Sequence, residues 1–290
     1  MRGGLPNRGK KQKGYTIVEV MIFLAVSGLM FVMAAGLVSG KQSKAEFKQG
    51  MSAVNAQLVA IPNDVANGFY PSNSGFSCTV TNGVLSFSTL LTNGQGSNKD
   101  CVFLGKVLQF DRNGTDYSNY TIAGSRLDST IPGNTTVAPT TFKQASPTIP
   151  PSSTNTVSSG TLEWGVKLLK IQTGGGDDYP NTELNGVGFF SSFGSYDDVV
   201  NNSLASGSQS VIVVPIVGAL NAATSGDISS QLNPTAPATV KIDNNPDINF
   251  CFDSGNGQYG ILTLGGNNGQ AGRLATTTTI QSSIPDWCKP

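Results

Sequence analysis

From Thr16 to Gly40 the chain reads TIVEVMIFLAVSGLMFVMAAGLVSG, 25 residues in which Glu19 is the only charged side chain and proline is absent. An α-helix rises 1.5 Å per residue, so about 20 mostly apolar residues cross the hydrocarbon core of a bilayer. The run is hydrophobic all round rather than along one stripe, which suits lipid or a packed helical bundle. A cleaved secretory signal has a shorter apolar region, roughly 7–15 residues, that ends in small residues at a cut site. A bare membrane anchor gives no reason for Glu19. An ionisable group in a span costs about 2.5–3.5 kcal/mol at the centre and less near the edge, and it usually has a partner and a function.

Charge is distributed unevenly along the chain. Residues 1–14, MRGGLPNRGKKQKG, carry Arg2, Arg8, Lys10, Lys11 and Lys13 and no acid, a charge of +5. The whole chain balances 18 basic against 18 acidic side chains, which leaves residues 15–290 with 13 basic and 18 acidic groups, a net of −5. The basic residues before the run outnumber Lys41, Lys44 and Lys48 after it. That asymmetry predicts a cytoplasmic amino terminus and an exported remainder. Histidine is absent, which excludes Ser-His-Asp and Cys-His catalysis and any His-ligated metal. The neutral total argues against a nucleic-acid-coating surface. No acid–base or nucleophile constellation stands out, and the chain is expected not to be an enzyme.

Lys13-Gly14-Tyr15-Thr16-Ile17-Val18-Glu19, followed by the apolar run, resembles the class III signal of type IV prepilins and pseudopilins. The resemblance implies cleavage by a membrane-embedded prepilin peptidase between Gly14 and Tyr15, and methylation of the new Tyr15 amine. It implies that Glu19 pairs with that amine in a filament and sets subunit register. Tyr15 stands where Phe is commoner. Major pilins often carry a proline where this chain has Gly36, so a minor pilin or pseudopilin is the expected role. Residues 248–280, with NFCFDSGNG, then QYGILTL, then AGRLATTTTIQ, resemble the closing region of H-type minor pseudopilins. The implied partners are other pilin-like subunits, the prepilin peptidase, an inner-membrane assembly platform and the membrane. A tip adhesin or DNA-uptake pilin, binding a ligand through its head, is the alternative, and it leaves nucleic acid open as a partner.

Beyond Gly40, Phe47, Met51, Val54, Leu58, Ile61 and Val65 recur at spacings of three and four, the signature of an amphipathic helix. The spacing predicts a helix over 41–68, continuing the membrane helix as a rod of roughly 70 Å. Pro62 should end or kink it, and Asn67-Gly68 should stop it. Residues 69–290 predict a β-rich antiparallel head, so the fold class is α+β. Asn82-Gly83 between Phe76–Thr81 and Val84–Leu90 signals a two-residue hairpin. Further strands are predicted at Cys101–Asp111, Tyr117–Ala123, Leu162–Gln172, Val187–Phe193, Val211–Val217, Thr239–Ile242, Asn249–Asp253, Gln258–Leu264 and Arg273–Ile280. The Pro/Ser/Thr-rich stretch at about 130–160 predicts a long surface loop or flexible insertion.

Cys78, Cys101, Cys251 and Cys288 all fall in the part expected to be exported. Disulfides are the natural reading in an oxidising space, and four cysteines allow three connectivities. Pairs adjacent in sequence are expected: Cys78–Cys101 around the hairpin and Cys251–Cys288 clamping the carboxy-terminal tail. Acids cluster at Asp177-Asp178, Asp197-Asp198, Asp243 with Asp247, and Asp253. Calcium takes six to eight such oxygens, but no segment matches an EF-hand, and solvated turns are the simpler account. No cofactor is expected, with calcium the one candidate ion.

Overall fold

The computed structural model describes residues 14–68, 76–81, 84–89, 101–131, 133–134, 136–140, 142, 144–150, 157–173, 183–191, 211–220, 223–232, 247–265 and 275–289. The fold is α+β, an amino-terminal helix followed by an antiparallel β-rich head. The chain divides into two compact units, Met1–Ala45 and Glu46–Pro290.

The first unit carries the start of helix α1 (Ile17–Ala66). Its window Ile17–Ala34 is long and apolar enough to cross a membrane, and none of it is buried within the protein. The one hydroxyl in this window, on Ser27, donates to the Phe23 carbonyl one turn earlier. A polar side chain is thereby satisfied without water, as a lipid-facing helix requires.

In the second unit, α1 presents Phe47, Met51, Val54, Leu58, Ile61 and Val65, each at most 5% exposed. The helix runs through Pro62 and ends at Ala66. Pro62 cannot supply the N–H that would bond to Leu58, yet its neighbours Ile61 and Val65 remain buried. Burial of such side chains contributes about 1.5–3 kcal/mol each, enough to carry the last turn past the missing bond. Gly68, at φ +63°, closes the helix, and its N–H donates to the Val65 carbonyl. The left-handed conformation there is one that glycine adopts at little cost.

Strands β1 (Phe76–Thr81) and β2 (Val84–Thr89) pair antiparallel, with Thr81 opposite Val84. The remaining strands form one antiparallel sheet: β3 (Cys101–Phe110), β4 (Asp116–Ser125), β5 (Val157–Thr161), β6 (Lys167–Thr173), β7 (Glu183–Ser191), β8 (Val211–Val217), β9 (Ile248–Asp253), β10 (Tyr259–Gly265) and β11 (Ala275–Gln281). β7 is the branch point. β8 runs along one of its edges from Leu184 to Ser191, while its other edge is shared by β6, at Glu183 and Leu184, and β3, from Gly186 to Phe190. Two wings result, β3-β4-β5 and β6-β9-β10-β11.

The fork between the wings is sealed by the β3–β4 turn. The Leu168 N–H donates to the Gly114 carbonyl, and the Leu162 N–H to the Thr115 carbonyl. Gly114 has φ +67°, and a Cβ there would collide with the Leu168 carbonyl oxygen. Above the fork, Val54 and Leu58 of α1 meet Leu108, Phe110, Tyr117 and Leu162. Phe110 packs edge-on against Tyr117 at 6.3 Å and Phe250 at 6.2 Å.

The sheet is covered on both faces. Even-numbered residues such as Leu108, Phe110, Phe250 and Phe252 face α1. Leu104, Val107 and Ile122 face a second cluster with Phe142, Ala145 and the helix α2 (Ser225–Leu232). The stretch expected to be a surface loop at 130–160 therefore does more than cover the surface. Phe142 and Ala145 are core residues, the Ala123 and Thr148 backbones bond in both directions, and 157–161 is a sheet strand. The apolar residues scattered among its Pro, Ser and Thr are what anchor it. The expected strand Leu162–Gln172 is shortened to β6 because Glu163–Val166 is a tight turn, with Trp164 at φ +62° and Gly165 at +68°. The expected strand Thr239–Ile242 lies outside the described residues.

Candidate processing and assembly site

The residues on which processing would act lie at the start of α1. Gly14, Tyr15 and Thr16 have no regular structure, and the helix begins at Ile17. Gly14 has nothing within 4 Å of where a side chain would sit, and Tyr15 is 81% exposed. The Gly14–Tyr15 peptide bond is thus open and non-helical, the state in which a peptidase can take a chain into an extended cleft. Residues 1–13 of the basic leader lie outside the described residues.

Thr16 is a site residue that apolar spacing does not reveal. The Glu19 N–H donates to its hydroxyl oxygen at 3.3 Å, and the Val20 N–H donates to its carbonyl at 3.2 Å. Thr16 is therefore the N-cap of α1 and Glu19 occupies the third helical position. Thr-x-x-Glu is the capping-box pattern, which is legible in sequence. Glu19 is exposed in the single chain. Its carboxylate sits in the first turn, where the helix dipole favours negative charge. The two partners assigned to each other by resemblance, Glu19 and the Tyr15 amino group, are four residues apart at this helix start.

The cysteines occupy the head. Cys251 on β9 is bonded to Cys288, 37 residues on, with Cα atoms 5.9 Å apart. Along β9, Ile248, Phe250 and Phe252 point toward α1, so Cys251 points to the opposite face, yet both bonded cysteines are buried. The tail, with a single 3-10 turn at Asp286–Cys288, covers that spot. The Lys289 ammonium, 2.6 Å from Asp286, holds that carboxyl below the usual carboxylate range. Cys101 is disulfide-bonded. The side chain of Cys78, its expected partner, lies outside the described residues.

Asp177-Asp178, Asp197-Asp198 and Asp243 also lie outside the described residues. Asp253 accepts the Gly255 N–H at 2.9 Å in its turn. Among the described residues no group of three or more Asp, Glu, Cys or His is placed to hold a metal ion.

One charged pair ties α1 to the sheet inside the head. Lys106 on β3, 9% exposed at its side chain, donates to Asp64 on α1 at 2.7 Å. On the far face, the Gln109 amide donates to the Thr224 carbonyl at 2.8 Å, and Gln231 of α2 brackets the Val217 N–H and carbonyl at 2.9 and 2.7 Å. Gln231 thereby takes the place of a strand partner at one point of the β8 edge. These contacts organise the head.

Comparison with known proteins bears on the helix start alone. Neither a curated protein nor a solved structure is detectably similar to the chain. A family model described as the prokaryotic N-terminal methylation motif matches residues 9–35. That span contains the Gly14–Tyr15 bond, the Thr16 cap, Glu19 and the exposed apolar turns of α1. The chain thus carries the class III signal peptide of type IV prepilin-like proteins.

Proposed function

We propose that the chain is a minor pilin or pseudopilin, a structural subunit that a prepilin peptidase cuts after Gly14 and methylates at Tyr15. The observation that carries this reading is the combination of the methylation motif with an apolar helix face that the protein itself leaves wholly uncovered. In the precursor that face lies in the membrane, with the amino terminus in the cytoplasm. In the assembled state it packs against the helices of other pilin-like subunits, drawn in through an inner-membrane assembly platform. The β-rich head is then carried outside the membrane.

Glu19 supplies selectivity in this scheme. Cleavage leaves a positive amine on Tyr15, and a carboxylate from the same or a neighbouring subunit neutralises it in an apolar setting. Removing one partner of a buried pair costs about 3–5 kcal/mol. Amino-terminal sequencing of the subunit recovered from membranes tests the processing step and should begin at N-methylated Tyr15. A mature chain starting elsewhere removes the reading. Glu19→Ala subunits should be processed but should fail to enter filaments, and incorporation at the normal level removes the role assigned to Glu19.

A further inference from the structure

We propose that Lys41 and Lys44 form a basic pair that holds the unassembled subunit against an anionic phospholipid surface. The proposal rests on the reading of the apolar run as a membrane span. Between Val20 and Asn63 the only charged side chains are these two lysines, Glu46 and Lys48. Lys41 and Lys44 stand three residues apart in α1, the spacing that places side chains on one helix face. Both are exposed.

Their distance from the span decides what they meet. A 20-residue span beginning at Ile17 ends near Gly36. Lys41 and Lys44 then lie ~8 and ~12 Å farther along the helix. The headgroup layer extends about 5–8 Å beyond the hydrocarbon, and charges act over a further ~8 Å at physiological ionic strength. Lys41 falls within the headgroups and Lys44 within one screening length of them. Lysine stems can lie along the apolar helix while the ammonium reaches a phosphate. Each such cation favours an anionic surface by about 1 kcal/mol, roughly fivefold.

The test reconstitutes the mature chain, from Tyr15 with its head intact, in phosphatidylcholine bilayers doped with spin-labelled phosphatidylglycerol or phosphatidylcholine. The share of each label immobilised at the protein gives lipid selectivity. The wild-type chain should prefer phosphatidylglycerol by at least about threefold at low salt, and the preference should fall in 1 M salt as screening shortens. The Lys41→Gln/Lys44→Gln variant should lose it while retaining the far-ultraviolet circular dichroism of the wild type. Equal uptake of the two lipids by the wild type overturns the proposal, and so does selectivity that survives in the double variant. Failure of the wild type to stay in pure phosphatidylcholine vesicles overturns the span reading itself, an outcome distinct from loss of selectivity alone.

Discussion

The hydroxyl oxygen of Thr16 accepts the backbone N–H of Glu19 at 3.3 Å, which makes the residue after the expected cleavage product's first position the N-cap of the helix. Glu19 is therefore held at the third helical position whatever its carboxylate does in an assembly. Thr16→Ala should destabilise the first turn by about 1 kcal/mol, and Thr16→Ser should preserve it. Amide hydrogen exchange at Glu19 in detergent micelles checks this. Unchanged protection in Thr16→Ala would show that the cap does not hold the turn.

Gly50 is buried where α1 crosses the Glu163–Val166 turn. A side chain there would run into the Val166 side chain, the Glu163 carbonyl and the Trp164 Cβ. Helix propensity alone favours alanine over glycine by about 1 kcal/mol. Overpacking usually costs about 1–3 kcal/mol, so packing should win. Gly50→Ala should lower the unfolding midpoint of the chain in urea, and a rise would mean that the turn yields.

These two sites illustrate what could be read before the fold was known. The buried stripe from Phe47 to Val65 follows from spacing because one helix face meets one core. Thr16 is equally legible, through Thr-x-x-Glu, a helix-start pattern independent of the apolar run. The β1–β2 hairpin follows from Asn82-Gly83, a local signal. The sheet order is different in kind. Nothing local says that β6 lies between β9 and β7, or that β7 shares one edge between β6 and β3, because those pairings join residues far apart in the chain. α2 carries little periodic signal because its eight residues place only Ile228 and Leu232 in the core. The strand expected at Leu162–Gln172 failed at Trp164, a residue that carries no turn signal of its own.

Lys106 and Asp64 differ in their surroundings, with side-chain exposures of 9% and 42%. Removing Asp64 takes a charge partner from the more desolvated group, whereas removing Lys106 leaves a carboxylate that water can reach. Asp64→Asn should therefore cost more than Lys106→Met, with about 1–3 kcal/mol for the former, below the 3–5 kcal/mol of a fully buried pair. A double-mutant cycle by denaturant unfolding measures both. The reverse order of costs would show that Lys106 is hydrated in solution.

The Cys251–Cys288 bond closes a 37-residue separation and pins the tail over β9. A bond of this kind stabilises by typically 2–4 kcal/mol. Cys288→Ser should lower the melting temperature and should make the tail beyond Gln281 susceptible to proteolysis. A serine variant that melts with the wild type would show that tail packing alone suffices.

Trp164 sits at φ +62° as the first central residue of its turn, followed by Gly165 at +68°. Both angles are positive, and the Val166 N–H donates to the Glu163 carbonyl at 3.3 Å, the pattern of a type I′ turn. Asn and Gly suit such positions, and a bulky side chain there is strained by about 1–2 kcal/mol. At 45% exposure the indole recovers only part of its burial energy. Trp164→Asn should therefore stabilise the isolated chain by about 0.5–1 kcal/mol, read as a rise in the urea midpoint with an unchanged slope. A fall of similar size would mean that the packed half of the ring outweighs the strain in its backbone.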